Sequence, residues 1–426
     1  MTLEVVREFG RIDLSDSEVR SVRRLTERSR SESLRKALRW TGPRQIQVRS
    51  HVGVLRLGTR EIEVRPKLPL GPPGAGRAAA EQRSLLAMLH GAGMLPPLHS
   101  AGRVGLVSSS LLDAFISAFV RSLTTELERG VEHRYHVETV NAAAIRGRIR
   151  IADDLRANYG LHHRCVQDRD LFGTDTPLNR VLKASCRLLA HVSRAAESRT
   201  GLARALDLLD DVADVEPSAL VTNWPVLGRG TERFEFLLAF AKLLFLDQSP
   251  SLSGGSDSSF CLLFPMERVF ESFIGRLLRR SLSLHGYEVQ LQSGGFLLRD
   301  ESERPKLGLR PDIVIKRDGQ TVAVVDTKWK DLARAGGISG VASSDASQLL
   351  AYGHRWRCAD TVLLYPGGGG DCGARLRSFV APEEWALSIR FANLGRDLSV
   401  LAEREALAGE MASDLRLAVD GASMAI

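Results

Sequence analysis

Two short β-branched runs joined by a polar turn constrain this chain more than any other stretch. Ile313-Val314-Ile315 leads into Lys316-Arg317-Asp318-Gly319-Gln320, and the chain resumes as Thr321-Val322-Ala323-Val324-Val325. Asp-Gly between two such runs is a strong hairpin signal, and β-branched residues suit a pleated, half-buried strand. The outer ends of this hairpin carry polar chemistry. Asp312 precedes the first run, Asp326 closes the second, and Lys328 lies two positions further on, on the same strand face as Asp326.

Hydrolysis of a phosphodiester brings water to an anionic backbone and must stabilise the charge that builds in the transition state. Mg²⁺ does this when held by one or two carboxylates and the substrate's own oxygens. A lysine beside the metal orients or deprotonates the water, or offsets phosphate charge. Pro311-Asp312, Asp326 and Lys328 form the pattern P-D…D-x-K, which resembles the PD-(D/E)xK nuclease superfamily. Short patterns also arise by chance on solvated surface hairpins, so the flanks matter. Upstream, Met266 to Leu278 has helical periodicity, with Val269, Phe270, Phe273, Ile274 and Leu277 on one face. Glu267 and Glu271 lie one turn apart on it, and superfamily members often carry an acid on the helix before the hairpin. Downstream, Gln348 and Tyr352 stand at i and i+4 of another helix, resembling the Q-x-x-x-Y element of the RecB-like branch.

The chain of 426 residues is long enough for two or three domains with real cores. A hydrophobic content of 44% with 26% charged residues is that of an ordinary soluble globular protein. The sequence contains no apolar run of about eighteen residues, so no transmembrane helix is expected. The N-terminal residues lack the pattern of a signal peptide. Five scattered cysteines, with no C-x-x-C pair, suggest a reducing cytoplasm and argue against zinc. The net charge of +7 favours a polyanionic partner weakly.

The expected architecture is α/β and multi-domain. Residues 1–100 read as a β-rich N-terminal module, 101–250 as a mainly helical middle domain, 256–400 as the PD-(D/E)xK α/β nuclease domain and 401–426 as a peripheral C-terminal helical tail. In the first region a strand over Leu3–Ile12 precedes a basic helix from about Ser15 to Trp40, capped by Ser15 or Asp16. Three alternating strands follow, as a small antiparallel sheet or barrel. Gly71 to Ala78 mimics a phosphate-binding loop, but Arg77 and Ala78 stand where Lys and Ser/Thr are needed, so a Gly/Pro loop is the better reading. Gly367 to Gly370 reads as another loop. In the middle region a helix from Leu111 ends at Gly130, strands cover Tyr135–Val140 and Ile145–Ile151, and Thr176-Pro177 opens a long helix. Arg146, Arg148 and Arg150 alternate and either track a phosphate backbone or face solvent. His162, His163 and Cys165 lack a second ligand pair and read as surface or packing residues. Ser249 to Ser259 reads as a linker.

In this order the pieces resemble the McrC family, the nuclease subunit of McrBC-type, 5-methylcytosine-dependent restriction systems. The residues that carry the resemblance are Val6-Arg7-Glu8-Phe9-Gly10-Arg11-Ile12, Glu63 to Leu68, Arg129-Gly130 with Tyr135, Ile145 to Ile149, Asp175 to Arg180 and the nuclease cluster. The resemblance implies a Mg²⁺-dependent endonuclease subunit of a restriction and antiviral defence complex, cutting double-stranded DNA, methylated or not, in the cytoplasm. It implies an AAA+ GTPase or ATPase partner, a McrB-like hexamer on which the N-terminal module docks and whose hydrolysis it stimulates. Asp312, Asp326 and Glu271 are then the expected metal ligands, with Glu267 the alternative to Glu271. Lys328 is the expected catalytic cation, and Arg310, Gln348 and Tyr352 support the site or touch DNA. The alternative is a non-catalytic assembly subunit that activates the motor and clamps DNA.

Overall fold

The computed structural model describes residues 2–28, 32–70, 76–96, 110–247, 259–299, 304–330, 341–368, 378–380 and 386–423. The expected linker up to Ser258, the tip of the loop at 71–75 and the glycines Gly369 and Gly370 lie outside them. The chain forms two compact units, Met1–Leu111 with Gln248–Ile426, and Leu112–Asp247. The separation expected between an N-terminal module and a nuclease domain is therefore not a boundary between compact units. A buried strand joins them. Ser259–Pro265 pairs antiparallel with His51–Leu57, in a four-stranded sheet completed by Arg60–Arg65 and, parallel to it at the edge, Thr2–Arg7. The run Phe260-Cys261-Leu262-Leu263-Phe264 is buried on both faces, which explains why it joins a sheet instead of extending a linker.

The second sheet of the N-terminal stretch has three strands, Arg11–Asp13, Gln45–Val48 and Leu38–Gly42. Ile12, Val22, Leu25, Leu34, Ile46, Leu55 and Ile62 share one core with Cys261 and Leu263, so distant parts of the chain solidify together. The expected helix to Trp40 is shorter in the structure. It spans Asp16–Arg28, a second helix covers Glu32–Ala37, and Trp40 is in a strand, because pairing with Ile46 buries this segment better than another helical turn. The first helix opens with a reciprocal capping box: the Ser15 amide donates to Glu18 Oε2 (2.8 Å) and the Glu18 amide to Ser15 Oγ (3.4 Å).

A six-stranded sheet follows, in the order Glu288–Leu291, Ile313–Arg317, Gln320–Thr327, Asp360–Gly367, Ala386–Asn393 and Ser378–Val380. The hairpin forms at its centre, with Asp318 (φ 51°) and Gly319 (φ 80°) in the left-handed conformations that a tight primed turn requires. Helix Ser343–Trp356 packs on the strands Gln320–Thr327 and Asp360–Gly367. Helix Met266–Ser283 packs on the outer strand Glu288–Leu291 and on helix Leu401–Ser423. That last helix buries Leu407, Met411 and Leu415, so the tail is part of the core and not peripheral.

In the other unit, Arg134–Ala142 pairs with Cys165–Gly173, and the short strand Arg148–Ile149 adds to the far edge. The strand expected over Ile145–Ile151 is cut to two residues because Ile151 starts a helix to Ala157. Arg150 heads that helix and pairs with Asp153 at 2.6 Å. Thr176 caps helix Pro177–Val192 by accepting from the Asn179 amide (3.2 Å), with Pro177 in the first turn where its missing N–H costs nothing. His162 and His163 are exposed. In the first unit, Arg77 lies in helix Arg77–Gly91 and pairs with Glu81 at 3.0 Å.

Candidate active site

The central hairpin, the helix before it and the helix after it converge on one acidic cluster of side chains. Asp312 stands at the start of strand Ile313–Arg317, where its Oδ2 accepts from both the amide and the hydroxyl of Thr327 (2.7 Å each). These bonds staple the two open ends of the hairpin across the ladder. Asp326, one residue earlier on the partner strand, is 3% exposed. Its Oδ2 lies 2.5 Å from Lys328 Nζ, an ion pair off the ideal hydrogen-bond angle, and among the described residues no other donor is aligned on that buried oxygen. The Lys328 backbone is fixed separately, its amide donating to the Leu364 carbonyl (2.9 Å).

Burial and the nearby Glu271 charge raise the Asp312 carboxyl above its ordinary range, against the Thr327 bonds and Lys328. Burial, then Asp312, push Asp326 up to about 6, with Lys328 opposing. For Lys328, burial works against the charged form, but Asp326, Asp345 and Asp312 outweigh it and raise its pKa. The ammonium is therefore held charged beside two carboxyls that repel each other.

Helix Met266–Ser283 gives its two acids different electrostatic neighbours. Glu271 faces Asp312 and raises its carboxyl, whereas Glu267 acts on Glu8 in the N-terminal strand region. Glu271 Oε1 accepts from Gln292 Nε2 (2.6 Å), Gln292 Oε1 accepts from Arg310 (2.7 Å), and the Gln292 amide donates to the Asp312 carbonyl (2.8 Å). Gln292 adopts a left-handed backbone, φ 49°, to make this bridge. On the other side Gln348 joins Lys328 (Nζ to Oε1, 3.5 Å) to Tyr352, whose hydroxyl accepts from Gln348 Nε2 (2.6 Å). Burial lifts the Tyr352 hydroxyl to about 12, so it stays protonated. Asp312, Asp326, Lys328, Glu271, Arg310, Gln348 and Tyr352, the residues singled out in the sequence, thus belong to one network.

Reading the sequence missed Thr327, Gln292 and Asp345. Asp345, buried near the start of helix Ser343–Trp356, pairs with Lys330 at 2.9 Å and adds negative charge to Asp326 and Lys328. Its position three residues before Gln348 was the available signal. Gln292 had none, since only the fold sets it between Glu271 and Arg310.

Among the described residues no three His, Cys, Asp or Glu side chains stand close enough together to form a metal cage. Mg²⁺ does not need one, because it keeps several waters and takes one or two carboxylates plus phosphate oxygens. Asp312 and Asp326, mutually repelling and with only the Lys328 ammonium against Asp326 Oδ2 among the described residues, fit that demand. Glu271 sits beside them, engaged by Gln292.

Fold and site together define a mixed α/β protein of several small sheets with paired acids and a lysine at the open end of a hairpin. The model of the family described as "McrBC 5-methylcytosine restriction system component" matches residues 46–366. The chain belongs to this family. It is 22% identical over 271 residues to the type IV methyl-directed restriction enzyme EcoKMcrBC of Escherichia coli K12, covering 61% of this chain and 76% of that protein. Its fold is similar to a chain in the refined half-complex of Thermococcus gammatolerans McrB AAA+ hexamers with bound McrC, with a TM-score of 0.64 and 17% identity. That match covers 97% of this chain and 99% of the other. Among the described residues no helix is long and apolar enough to cross a membrane.

Proposed function

We propose that this chain is the Mg²⁺-dependent DNA endonuclease subunit of a modification-dependent restriction complex, working with an AAA+ motor. The observation that carries the reading is the convergence of Asp312, Asp326 and Lys328, with Glu271 facing Asp312, on the open end of one hairpin. Asp312 and Asp326 would hold the metal, which supplies Lewis acidity at the scissile phosphate and lowers the pKa of a water. Lys328 carries positive charge to the same place and is oriented by Asp326 and Gln348. Arg310 and Gln292 hold Glu271 towards Asp312. The test is cleavage of methylated and unmodified plasmid with Mg²⁺, the AAA+ protein and GTP or ATP. Intact plasmid under all these conditions, with nucleotide hydrolysis still stimulated, would favour the non-catalytic assembly subunit.

Metal binding and protonation compete for Asp326. Above its pKa of about 6 the carboxylate is free for Mg²⁺; below it, a proton must leave first. The apparent Mg²⁺ affinity is expected to fall about tenfold per pH unit below about pH 6 and to level off above about pH 7. Calorimetric titration of Mg²⁺ from about pH 5 to about pH 8 checks this. A flat profile would remove Asp326 as a ligand.

For the motor contact we propose a surface on the Leu112–Asp247 unit, in addition to the N-terminal module that the resemblance implies. Large apolar side chains stand exposed on the small sheet of the Leu112–Asp247 unit and in the turn after its short helix, among them Tyr135 (74%), Val137 and Phe172 on the strands and Tyr159 (88%) in the turn. Tyr135 and Phe172 are cross-strand partners with ring centroids 5.0 Å apart. Apolar groups exposed together on such a surface mark a protein contact. The double substitution Tyr135→Asp, Phe172→Asp is expected to weaken binding of the AAA+ partner by about 30-fold or more, the effect of losing one hot spot. The melting temperature should not change. Pull-down and stimulated nucleotide hydrolysis at wild-type levels would move the contact elsewhere.

A further inference from the structure

One carboxyl lies outside the acidic site yet touches the segment that carries Lys328. Glu8 follows the edge strand Thr2–Arg7 and is 1% exposed. Its Oε1 accepts from the Lys67 amide (2.9 Å) and its Oε2 from the indole Nε1–H of Trp329 (2.8 Å). Glu8 and Trp329 are 321 positions apart in sequence. The Glu8 backbone is pinned as well, its amide donating to the Arg65 carbonyl (3.1 Å). Phe9, next in the chain, takes a left-handed conformation (φ 61°) that a bulky residue adopts only when its surroundings force it. The strained bend directs the chain from the edge strand to Arg11–Asp13 with Glu8 turned into the protein.

Trp329 makes the contact consequential. It follows Lys328 directly, and its ring lies 5.4 Å from that of Phe270, the residue before Glu271. The Lys330 amide bonds the Lys328 carbonyl (3.0 Å), so Trp329 sits in a tight bend with little slack on either side. One indole thus touches both the segment that ends the catalytic strand and the helix that carries the facing acid, and Glu8 holds its only polar side-chain atom.

We propose that Glu8 is a positioning residue for phosphodiester cleavage, fixing Lys328 and Glu271 relative to each other through the indole of Trp329. The inference rests on the nuclease reading above and adds to it a dependence on the N-terminal strand. A buried carboxyl accepting two N–H bonds is a rigid anchor, because moving it would leave two buried donors without an acceptor. Burial raises Glu8 to about 7 against the Lys67 and Trp329 bonds and the Lys67 charge, with Glu267 adding to the rise. The anchor is therefore held at a cost, the pattern of a residue retained for geometry.

The test is single-turnover cleavage by the full complex with the wild type, Trp329→Phe, Glu8→Gln and the double variant. Trp329→Phe keeps a ring against Phe270 and removes only the donor. Each single variant is expected to lose on the order of 10²-fold in kcat with KM for DNA unchanged, since small misplacements of catalytic groups cost about that much. The double variant should be no slower than the slower single one, because both remove the same link. Multiplying losses, or rates within about threefold of wild type, would overturn the proposal. A second readout does not need cleavage: the Trp329 indole ¹H–¹⁵N resonance on addition of Mg²⁺. It should shift in the wild type and be displaced and unresponsive in Glu8→Gln. An indole signal indifferent to both Mg²⁺ and Glu8→Gln sinks the positioning role. Absent cleavage by the wild type, with the indole responding as expected, would sink the nuclease reading and the cleavage role of Glu8 with it, leaving only the Glu8–Trp329 link to the Mg²⁺-responsive site.

Discussion

Asp326→Asn is expected to abolish DNA cleavage, lowering the single-turnover rate by on the order of 10³-fold or more, while the protein stays folded. The side chain keeps its shape and loses its charge. A metal clamped by two carboxylates contributes several kcal/mol of transition-state stabilisation, and each ~1.36 kcal/mol is worth about tenfold in rate. The neutral amide would also release Lys328, whose ammonium is held charged chiefly by Asp326 (Nζ–Oδ2 2.5 Å). The fold should tolerate the change, because the buried carboxyl is already raised to about 6 by burial and by Asp312, and removing its charge relieves that repulsion. Stimulation of the partner's nucleotide hydrolysis should persist, since the proposed motor contact is on the Leu112–Asp247 unit and Asp326 is not part of that unit. Cleavage within about tenfold of wild type would remove Asp326 from the mechanism.

The second large effect is structural. Gly53→Ala is expected to destabilise the Met1–Leu111 and Gln248–Ile426 unit by roughly 4 kcal/mol or more and to abolish cleavage with it. Gly53 has φ +135°, a conformation that side chains resist, and an added Cβ would stand 2.0 Å from the Leu262 carbonyl oxygen. The obstacle is backbone, so nothing can rotate away. Gly53 pairs with Leu263 within the ladder that joins His51–Leu57 to Ser259–Pro265. Met266, which opens the Glu271 helix, bonds the Ser50 carbonyl through its amide (3.0 Å). Pushing the strands apart therefore moves Glu271 as well as the core. Gly409→Ala is the control. There an added Cβ meets nothing within 4 Å in the interior of helix Leu401–Ser423, and the change is expected to stabilise by about 0.5–1 kcal/mol. Thermal melts of both variants decide the matter; a Gly53→Ala protein as stable as wild type would mean that this ladder is not the seam of the unit.

What could be read from the sequence was what neighbours decide. The Asp318-Gly319 turn, the β-branched runs around it, the Ser15 and Thr176 caps and the apolar stripe from Val269 to Ile274 all follow from interactions within a few residues. Such signals place Asp312, Asp326 and Lys328 at one end of a hairpin, because strand geometry alone fixes which side chains share a face. Helix rotation is another matter: Glu267 and Glu271 are equivalent by spacing, and only packing turned Glu271 to Asp312 and Glu267 to Glu8. The helix that stopped before Trp40 shows the same limit, since local propensity lost there to burial in a strand.

The sequence by itself determined the hairpin, its turn and the residue types at its open end, through short-range sterics and side-chain periodicity. Tertiary structure alone decided that strand Ser259–Pro265 completes an N-terminal sheet, that Gln292 bends into a left-handed bridge and that Glu8 reaches Trp329. It also drew the supposedly peripheral C-terminal helix into the core. The physical reason is common to these cases. Burial of apolar faces and satisfaction of buried polar groups depend on partners far away in the chain, and no local propensity encodes which partner will be there.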